Sequence, residues 1–167
     1  MDKLKHLTTP LLLFAVLLIV VPAMELADAV WPVGLGNAEW RFGAVGLLSN
    51  TLLEPLLGSA IIIVVATLSD KRRILVNMSV INGLAALLLF VAIPLFMLDS
   101  IELRSRVPPE ATLRFDVAAS KAVFVHGLAV IVLAGLSFAG LKSSKRLDRH
   151  SKDRSKGESP KMVHEPS

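Results

Sequence analysis

Glu54 is the side chain that is most unusual for its surroundings, because it interrupts the long apolar stretch 42–69. An ionisable group at bilayer depth costs about 2.5–3.5 kcal/mol on insertion scales and usually serves ion transfer or pairing. Asn50 lies four residues earlier, so a continuous helix would place both on one face. The alternative is that Pro55 breaks the helix and leaves Glu54 solvated at the membrane surface.

His126 is the second candidate for chemistry and lies in the last apolar stretch. Imidazole exchanges a proton near neutral pH, so His126 and Glu54 would form a polar path if their helices touch at similar depth. The alternative is a histidine that only hydrogen-bonds a neighbouring helix. No second histidine or acid lies beside it at metal-ligand spacing, and the chain has no cysteine, so we expect no metal site and no thiol chemistry.

Other polar, small and aromatic residues are assigned to packing and anchoring. Asn82 is expected to form an interhelical hydrogen bond. Gly127, Gly135 and Ala139 form a small-residue ridge that suits close helix contact, either within the protein or with another subunit. Trp31 and Trp40 flank a short loop and are interpreted as interfacial anchors, with the ring half buried and the N–H hydrated.

Motifs of common enzyme classes are absent from the sequence. It contains no phosphate-binding glycine loop, nucleophile elbow, zinc-binding histidine pair or dinucleotide fingerprint. We therefore expect no cofactor and no catalytic residues.

Four apolar stretches must position these residues. The chain is 53% hydrophobic with a mean hydropathy of +0.63, and an apolar helix of about 20 residues crosses a hydrocarbon core about 30 Å thick. The sequence predicts an all-α integral membrane protein, with four transmembrane helices in a bundle and a short interfacial helix before the second span. The predicted spans are about 7–28, 52–69, 74–98 and 118–141, and the predicted interfacial helix is about 39–53.

The helix boundaries have two alternatives and one clear signal. Residues 42–69 form either one long helix or a broken one, and the broken form is favoured because proline suits a first helical turn. The first stretch ends in Ala27-Asp28-Ala29, a small-x-small pattern, so it is either a retained span or a cleaved secretory signal, and its length favours retention. Pro109 followed by Glu110 is typical of a helix start and places the beginning of the fourth helix there.

Basic residues are distributed unevenly along the chain. Most of the 18 Lys and Arg residues lie at the N-terminus, in the 70–73 turn and in the tail, whereas four lie in the segments between (Arg41, Arg104, Arg106 and Arg114). The positive-inside rule therefore predicts that both termini are cytoplasmic, and it explains the basic charge without nucleic-acid binding. Residues 143–167 have almost no apolar side chains and are predicted to be a disordered tail that can hold anionic lipid, at about 1 kcal/mol per charge.

Several short segments resemble a known family. The segments Asn37-Ala38-Glu39-Trp40-Arg41, Leu47-Leu48-Ser49-Asn50, Pro55-Leu56-Leu57-Gly58 and Pro94-Leu95 resemble the HpsJ-like accessory membrane proteins of cyanobacterial hormogonium polysaccharide production. The resemblance implies four helices, a segment lying on the membrane before Pro55, and an accessory part in exopolysaccharide assembly or secretion. It implies no catalytic residues.

These inferences predict a non-catalytic accessory or scaffold subunit of a bacterial inner-membrane assembly, surrounded by lipid and by other membrane-protein subunits. The alternative is a small transporter or proton-coupled component that uses Glu54 and His126.

Overall fold

The protein is all-α in a computed structural model that describes the backbone of residues 2–157 and the side chains of residues 7–149. Its helices are α1 (Asp2–Ala29), α2 (Ala38–Thr51), α3 (Leu53–Leu68), α4 (Arg72–Arg104) and α5 (Thr112–Gly157), with one turn of 3-10 helix at Pro109–Ala111 before α5. No strand is present among the described residues. The predicted fold class is confirmed, and so is the predicted helix start near Pro109.

Three helical segments are long and apolar enough to cross a membrane by themselves: Leu7–Ala29, Arg72–Arg104 and Pro109–Arg149. The pair α2 and α3 meets the same criterion only when taken together, with a bend of 48° between the two helices. By length and apolar composition the described part of the chain therefore has three candidate membrane spans, or four when the bent pair counts as one span. Four is the predicted number of spans and is reached only when α2 and α3 are counted together. The predicted position of α2 on the membrane surface, with α3 alone as the second span, stays a prediction.

Pro55 explains why α2 and α3 are separate helices. Proline has no N–H to donate to the carbonyl four residues earlier, and its ring collides with that carbonyl, which here belongs to Thr51. Helix α2 ends at Thr51 and α3 begins at Leu53, so the broken alternative for 42–69 is the one observed.

The turn between α3 and α4 is tight because Asp70 adopts a left-handed conformation, with φ of 53°. The Lys71 N–H donates to the Ala66 carbonyl at 2.9 Å, which caps the last turn of α3. Directly beside this turn, Ile63, Ala66 and Leu75 form a buried apolar cluster. The turn therefore holds α3 and α4 as neighbouring antiparallel helices.

The helices form an open arrangement in which α1 is peripheral. Helix α5 runs beside α4 and also contacts α3, whereas α1 approaches only α2 and α3 within the described part of the chain. The side of α5 that faces the other helices is defined by buried residues at three-, four- and seven-residue spacing, namely Ala122, His126, Ala129, Leu133, Gly140 and Ser144.

The structure differs from the predicted disordered segment 143–167 over residues 143–157, because α5 continues to Gly157. Leu147 packs against the apolar cluster of Ile63, Ala66 and Leu75, and Ser144 is 5% exposed. These contacts give the start of the basic segment a tertiary partner, which composition alone did not reveal. Residues 158–167 of the predicted tail lie outside the described part of the chain.

Candidate functional site

The most densely connected polar region lies where α2 crosses α4 and α5. Arg41 of α2 donates from Nε to Asp99 Oδ2 of α4 at 2.8 Å and from Nη2 to the second carboxylate oxygen. The Asp99 side chain is 9% exposed and that of Arg41 is 35% exposed. Such a two-point pairing fixes both the position and the orientation of the guanidinium. It therefore holds the beginning of α2 on the end of α4.

An aromatic stack lies beside this ion pair. The ring of Phe42 lies between Phe96 of α4 and Phe115 of α5, with ring centroids 5.1 Å and 4.7 Å away. Aromatic pairs in such stacked geometry contribute about 0.5–1.5 kcal/mol beyond the area they bury. One residue of α2 therefore joins both long helices.

His126 of α5 lies beside Ser49, about two helical turns along α2 from Phe42, and is 2% exposed. Its Nδ1 is 2.8 Å from the Ala122 carbonyl oxygen and 3.2 Å from Ser49 Oγ of α2. Because a carbonyl only accepts, Nδ1 carries the proton. Ser49 Oγ in turn donates to the Val45 carbonyl at 2.8 Å. The remaining ring nitrogen, Nε2, is buried without a hydrogen-bond partner among the described residues.

Glu54 and Asn50 are not joined to His126. Glu54 lies in the first turn of α3, its side chain is exposed, and no hydrogen bond or ion pair links it to His126 within the described part of the chain. Asn50 instead accepts a hydrogen bond from Lys121 Nζ of α5 at 3.2 Å. The position of Glu54 beside the helix break is the one expected from the alternative in which Pro55 interrupts the helix.

Asn82 is 1% exposed, but its Nδ2 has no partner among the described residues, so the predicted interhelical hydrogen bond from this amide is not formed. It is also remote from His126. Its neighbour Gly83 lies against Ser137 of α5, and a helix rise of 1.5 Å per residue puts Ser137 about 16 Å from His126 along the axis. Asn82 and His126 therefore belong to different places in the fold.

The predicted ridge of Gly127, Gly135 and Ala139 does not make the contact between helices. A Cβ atom added at Gly127 or Gly135 would meet nothing within 4 Å among the described residues, and Gly135 and Ala139 are exposed. The close contact is made instead by Gly140, which lies against Ser79 of α4. The ridge lies about one residue around the helix from the packed side, an offset that spacing alone does not fix.

The two tryptophans differ from each other. Trp31 is 74% exposed, and its role as an interfacial anchor stays a prediction. Trp40 is half-buried, and its Nε1 donates to the Val30 carbonyl at 2.9 Å. Its N–H therefore binds the protein backbone, whereas the prediction was that water would hydrate it. The ring of Trp40 also lies close to Gly34. Trp40 therefore holds the 30–37 loop against the start of α2.

The two ends of the helix set differ in charge pairing. At the end that carries α2, ion pairs join Arg104 to Asp116 at 2.8 Å and Arg106 to Glu102 at 2.8 Å, in addition to the pair of Arg41. At the other end, basic residues outnumber acidic ones in 71–73 and 142–149. No group of three or more His, Cys, Asp or Glu suitable for a metal ion occurs among the described residues.

Sequence reasoning missed the anchors of α2, namely Arg41, Asp99, Phe42, Phe96, Phe115 and Ser49. The pairing of Arg41 with Asp99 could have been predicted, because the two residues carry opposite charges and lie at the borders of apolar segments. No family model, no curated protein and no solved structure matches the chain.

Proposed function

We propose that this protein is a non-catalytic accessory or scaffold subunit of a bacterial inner-membrane assembly. The observation that supports this proposal is the open arrangement of the helices, in which the described residues of α1 contact α2 and α3 but neither α4 nor α5. Most of α1 is exposed, including Leu13, Phe14, Leu17 and Met24. In a membrane such faces meet either lipid or helices of other subunits, because helix association there depends on close packing rather than on water.

The orientation belongs to the same proposal. Both termini and the 70–73 turn are assigned to the cytoplasm, and the 30–41 and 99–116 segments to the outer side. The distribution of basic residues supports this assignment, because the two outer segments carry Arg41, Arg104, Arg106 and Arg114 out of the 18 Lys and Arg residues. The basic residues of 142–149 would then lie beside the cytoplasmic leaflet, where they can attract anionic lipid headgroups.

The resemblance of the segments around α2 and α3 to HpsJ-like proteins suggests the kind of assembly. We propose that the partner subunits assemble or secrete exopolysaccharide. Deletion of the chain should then lower polymer export while the polymer-forming enzymes keep their activity in isolated membranes.

Purification from native membranes in a mild detergent tests the accessory role. We expect a membrane-protein partner at a constant molar ratio to the tagged chain. The variant Gly135→Leu serves as a probe of the exposed ridge, because nothing in the described part of the chain lies within 4 Å of a Cβ atom added there. A homogeneous homo-oligomer that conducts ions in proteoliposomes would contradict the proposal.

The alternative function is a small proton-coupled transporter, and the buried Nε2 of His126 is the observation that favours it. Glu54 would have to join the path in another state, because it is exposed here and not bonded to His126. Flux in proteoliposomes with Glu54→Gln and His126→Gln separates the two functions. A transporter loses flux in both variants, whereas a scaffold shows no flux in any form and still binds its partner.

A further inference from the structure

We propose that α2 is a hinged cover over His126 and that the ion pair of Arg41 with Asp99 holds it closed. The proposal concerns the conformation of this chain and does not depend on the proposed function. It begins with the way α2 is attached. Helix α2 contains no buried residue, whereas α3, which follows it directly, contains six. A helix held without buried residues is retained by individual side-chain contacts at its surface.

These contacts follow one side of α2 from end to end. Arg41 binds Asp99, the Phe42 ring stacks in the aromatic group described above, Ser49 contacts His126, and Asn50 accepts from Lys121. These partners lie on α4 or α5. Trp40 and Arg41 also donate to the carbonyls of Val30 and Leu35, so the 30–37 loop would move together with α2. These two helices also pack closely on each other through Gly140 and Ser79. Helix α2 can therefore leave as a unit while α4 and α5 stay together.

A hinge lies in the appropriate place. The bend of 48° at Leu52 separates α2 from α3. Pro55 removes the hydrogen bond that would otherwise tie its nitrogen to the Thr51 carbonyl. Below the hinge, α3 is fixed by its contact with α1 at Gly58. Rotation at the hinge thus moves α2 without displacing α3.

His126 is the group that the cover conceals. Ser49 Oγ uses its proton on the Val45 carbonyl and offers a lone pair to Nδ1 of His126. The second nitrogen, Nε2, is left buried without a partner. A buried polar atom without a partner loses the hydrogen bond it would have in water, so the closed state carries a penalty that opening relieves. The ion pair opposes that penalty, and the balance between them sets how often α2 opens.

Cysteine labelling tests the cover directly, because the chain contains no cysteine. The single variant Ser49→Cys places a thiol on the concealed side of α2, and its reaction with a membrane-impermeant maleimide is followed in proteoliposomes. Adding Asp99→Asn should raise the labelling rate about tenfold, the scale expected when a charge-assisted hydrogen bond is lost from the closed state. The charge-swapped pair Arg41→Asp with Asp99→Arg should return the rate towards that of Ser49→Cys alone.

Two matched controls separate opening of α2 from general loosening. Asp116→Asn breaks the pair with Arg104, which joins α4 to α5 without touching α2, and it should leave the labelling of Ser49→Cys unchanged. Ser59→Cys probes α3, where Ser59 is 6% exposed, and it should stay unlabelled with Asp99→Asn. The proposal is overturned if Asp99→Asn has no effect, or if Asp116→Asn raises the rate as much.

If Asp99→Asn does not fold, a spin-label measurement on a chain that keeps both Arg41 and Asp99 tests the proposal instead. Nitroxides at Gly43→Cys on α2 and Leu113→Cys on α5 occupy exposed positions. We expect a main short distance and a second, longer one, the latter increasing when Arg41→Gln is added. One distance alone, unchanged by Arg41→Gln, would show that α2 is fixed.

Discussion

Gly58 in α3 lies directly against the backbone of Ala15 in α1. A Cβ atom at Gly58 would be 2.6 Å from the Ala15 carbonyl oxygen and 2.8 Å from Ile19 Cγ1, so no side chain fits between the two helices. Ala15 is itself fully buried. This contact is the reason why α1 remains attached to α3, and it makes the attachment sensitive to a single substitution.

The variant Gly58→Leu should displace α1 from α3. Overpacking a close contact costs about 1–3 kcal/mol, and here the neighbouring atom is backbone, which cannot rotate away. The Oγ atoms of Thr8 and Ser69 are 3.3 Å apart, so Thr8→Cys with Ser69→Cys reports the attachment as disulfide formation. The disulfide should form in the native background and be largely lost with Gly58→Leu.

Gly43→Leu is the matched control, because a Cβ atom at Gly43 would have nothing in the described part of the chain within 4 Å. It should leave the yield of the Thr8–Ser69 cross-link unchanged. Full cross-linking with Gly58→Leu would show that α1 is held by other contacts. Formation of the Thr8–Ser69 cross-link in the native background also bears on the first apolar segment, since a helix packed on α3 is expected to be retained rather than removed as a signal.

The second close contact lies between Gly140 of α5 and Ser79 of α4. Ser79 Oγ is held by its hydrogen bond to the Leu75 carbonyl at 2.6 Å, so it cannot easily give way to a methyl group at position 140. Gly140→Ala should therefore destabilise the fold by about 1–2 kcal/mol. Gly127→Ala, with open space around it, should instead stabilise α5 by up to about 1 kcal/mol through helix propensity.

Thermal unfolding in detergent, followed by circular dichroism, measures both changes. The double variant Gly140→Ala with Ser79→Ala removes the obstructing hydroxyl and should recover most of the lost stability. Equal effects of Gly140→Ala and Gly127→Ala would contradict the packed side assigned to α5.

The helices whose bounds depend on proline positions and on the lengths of apolar stretches were predictable from the sequence. The break before Pro55 and the start of the last helix at Pro109 follow from local backbone chemistry, which does not depend on distant residues. The contact of Ser49 with His126 depends on where α2 crosses α5. That crossing is a long-range property, and neither spacing nor composition contains it.

The rotational position of α5 was the second limit. Gly127 lies one residue after the buried His126, and Gly135 lies two residues after the buried Leu133. Small residues occur on both sides of this helix. In soluble proteins polar residues mark the outer side of a helix, whereas in an apolar segment both sides look alike. Sequence pattern therefore identified that α5 packs closely, but not on which side.

The assignment of sides to the membrane gives a direct prediction. Ser105 is exposed at the α2 end, and Lys145 is exposed at the opposite end, so Ser105→Cys and Lys145→Cys report the two sides of the membrane. In intact spheroplasts an impermeant maleimide should label Ser105→Cys within minutes and leave Lys145→Cys unreacted until the membrane is permeabilised. Reversed accessibility of the two thiols would place both termini outside and remove the basis of the orientation.

Leu147 should decide whether α5 stays helical beyond the apolar segment. The ion pair of Arg72 with Asp148 is 3.5 Å long and solvent-exposed on both partners, so its contribution is at most about 1 kcal/mol. Leu147 packs on the buried cluster, and loss of apolar contact costs about 0.8 kcal/mol for each buried methylene. In hydrogen exchange measured by mass spectrometry, Leu147→Ser should speed exchange over 143–149 more than Arg72→Gln does. If exchange over 143–149 in the native chain were as fast as in an unstructured peptide, the prediction of a disordered tail would be correct for this segment.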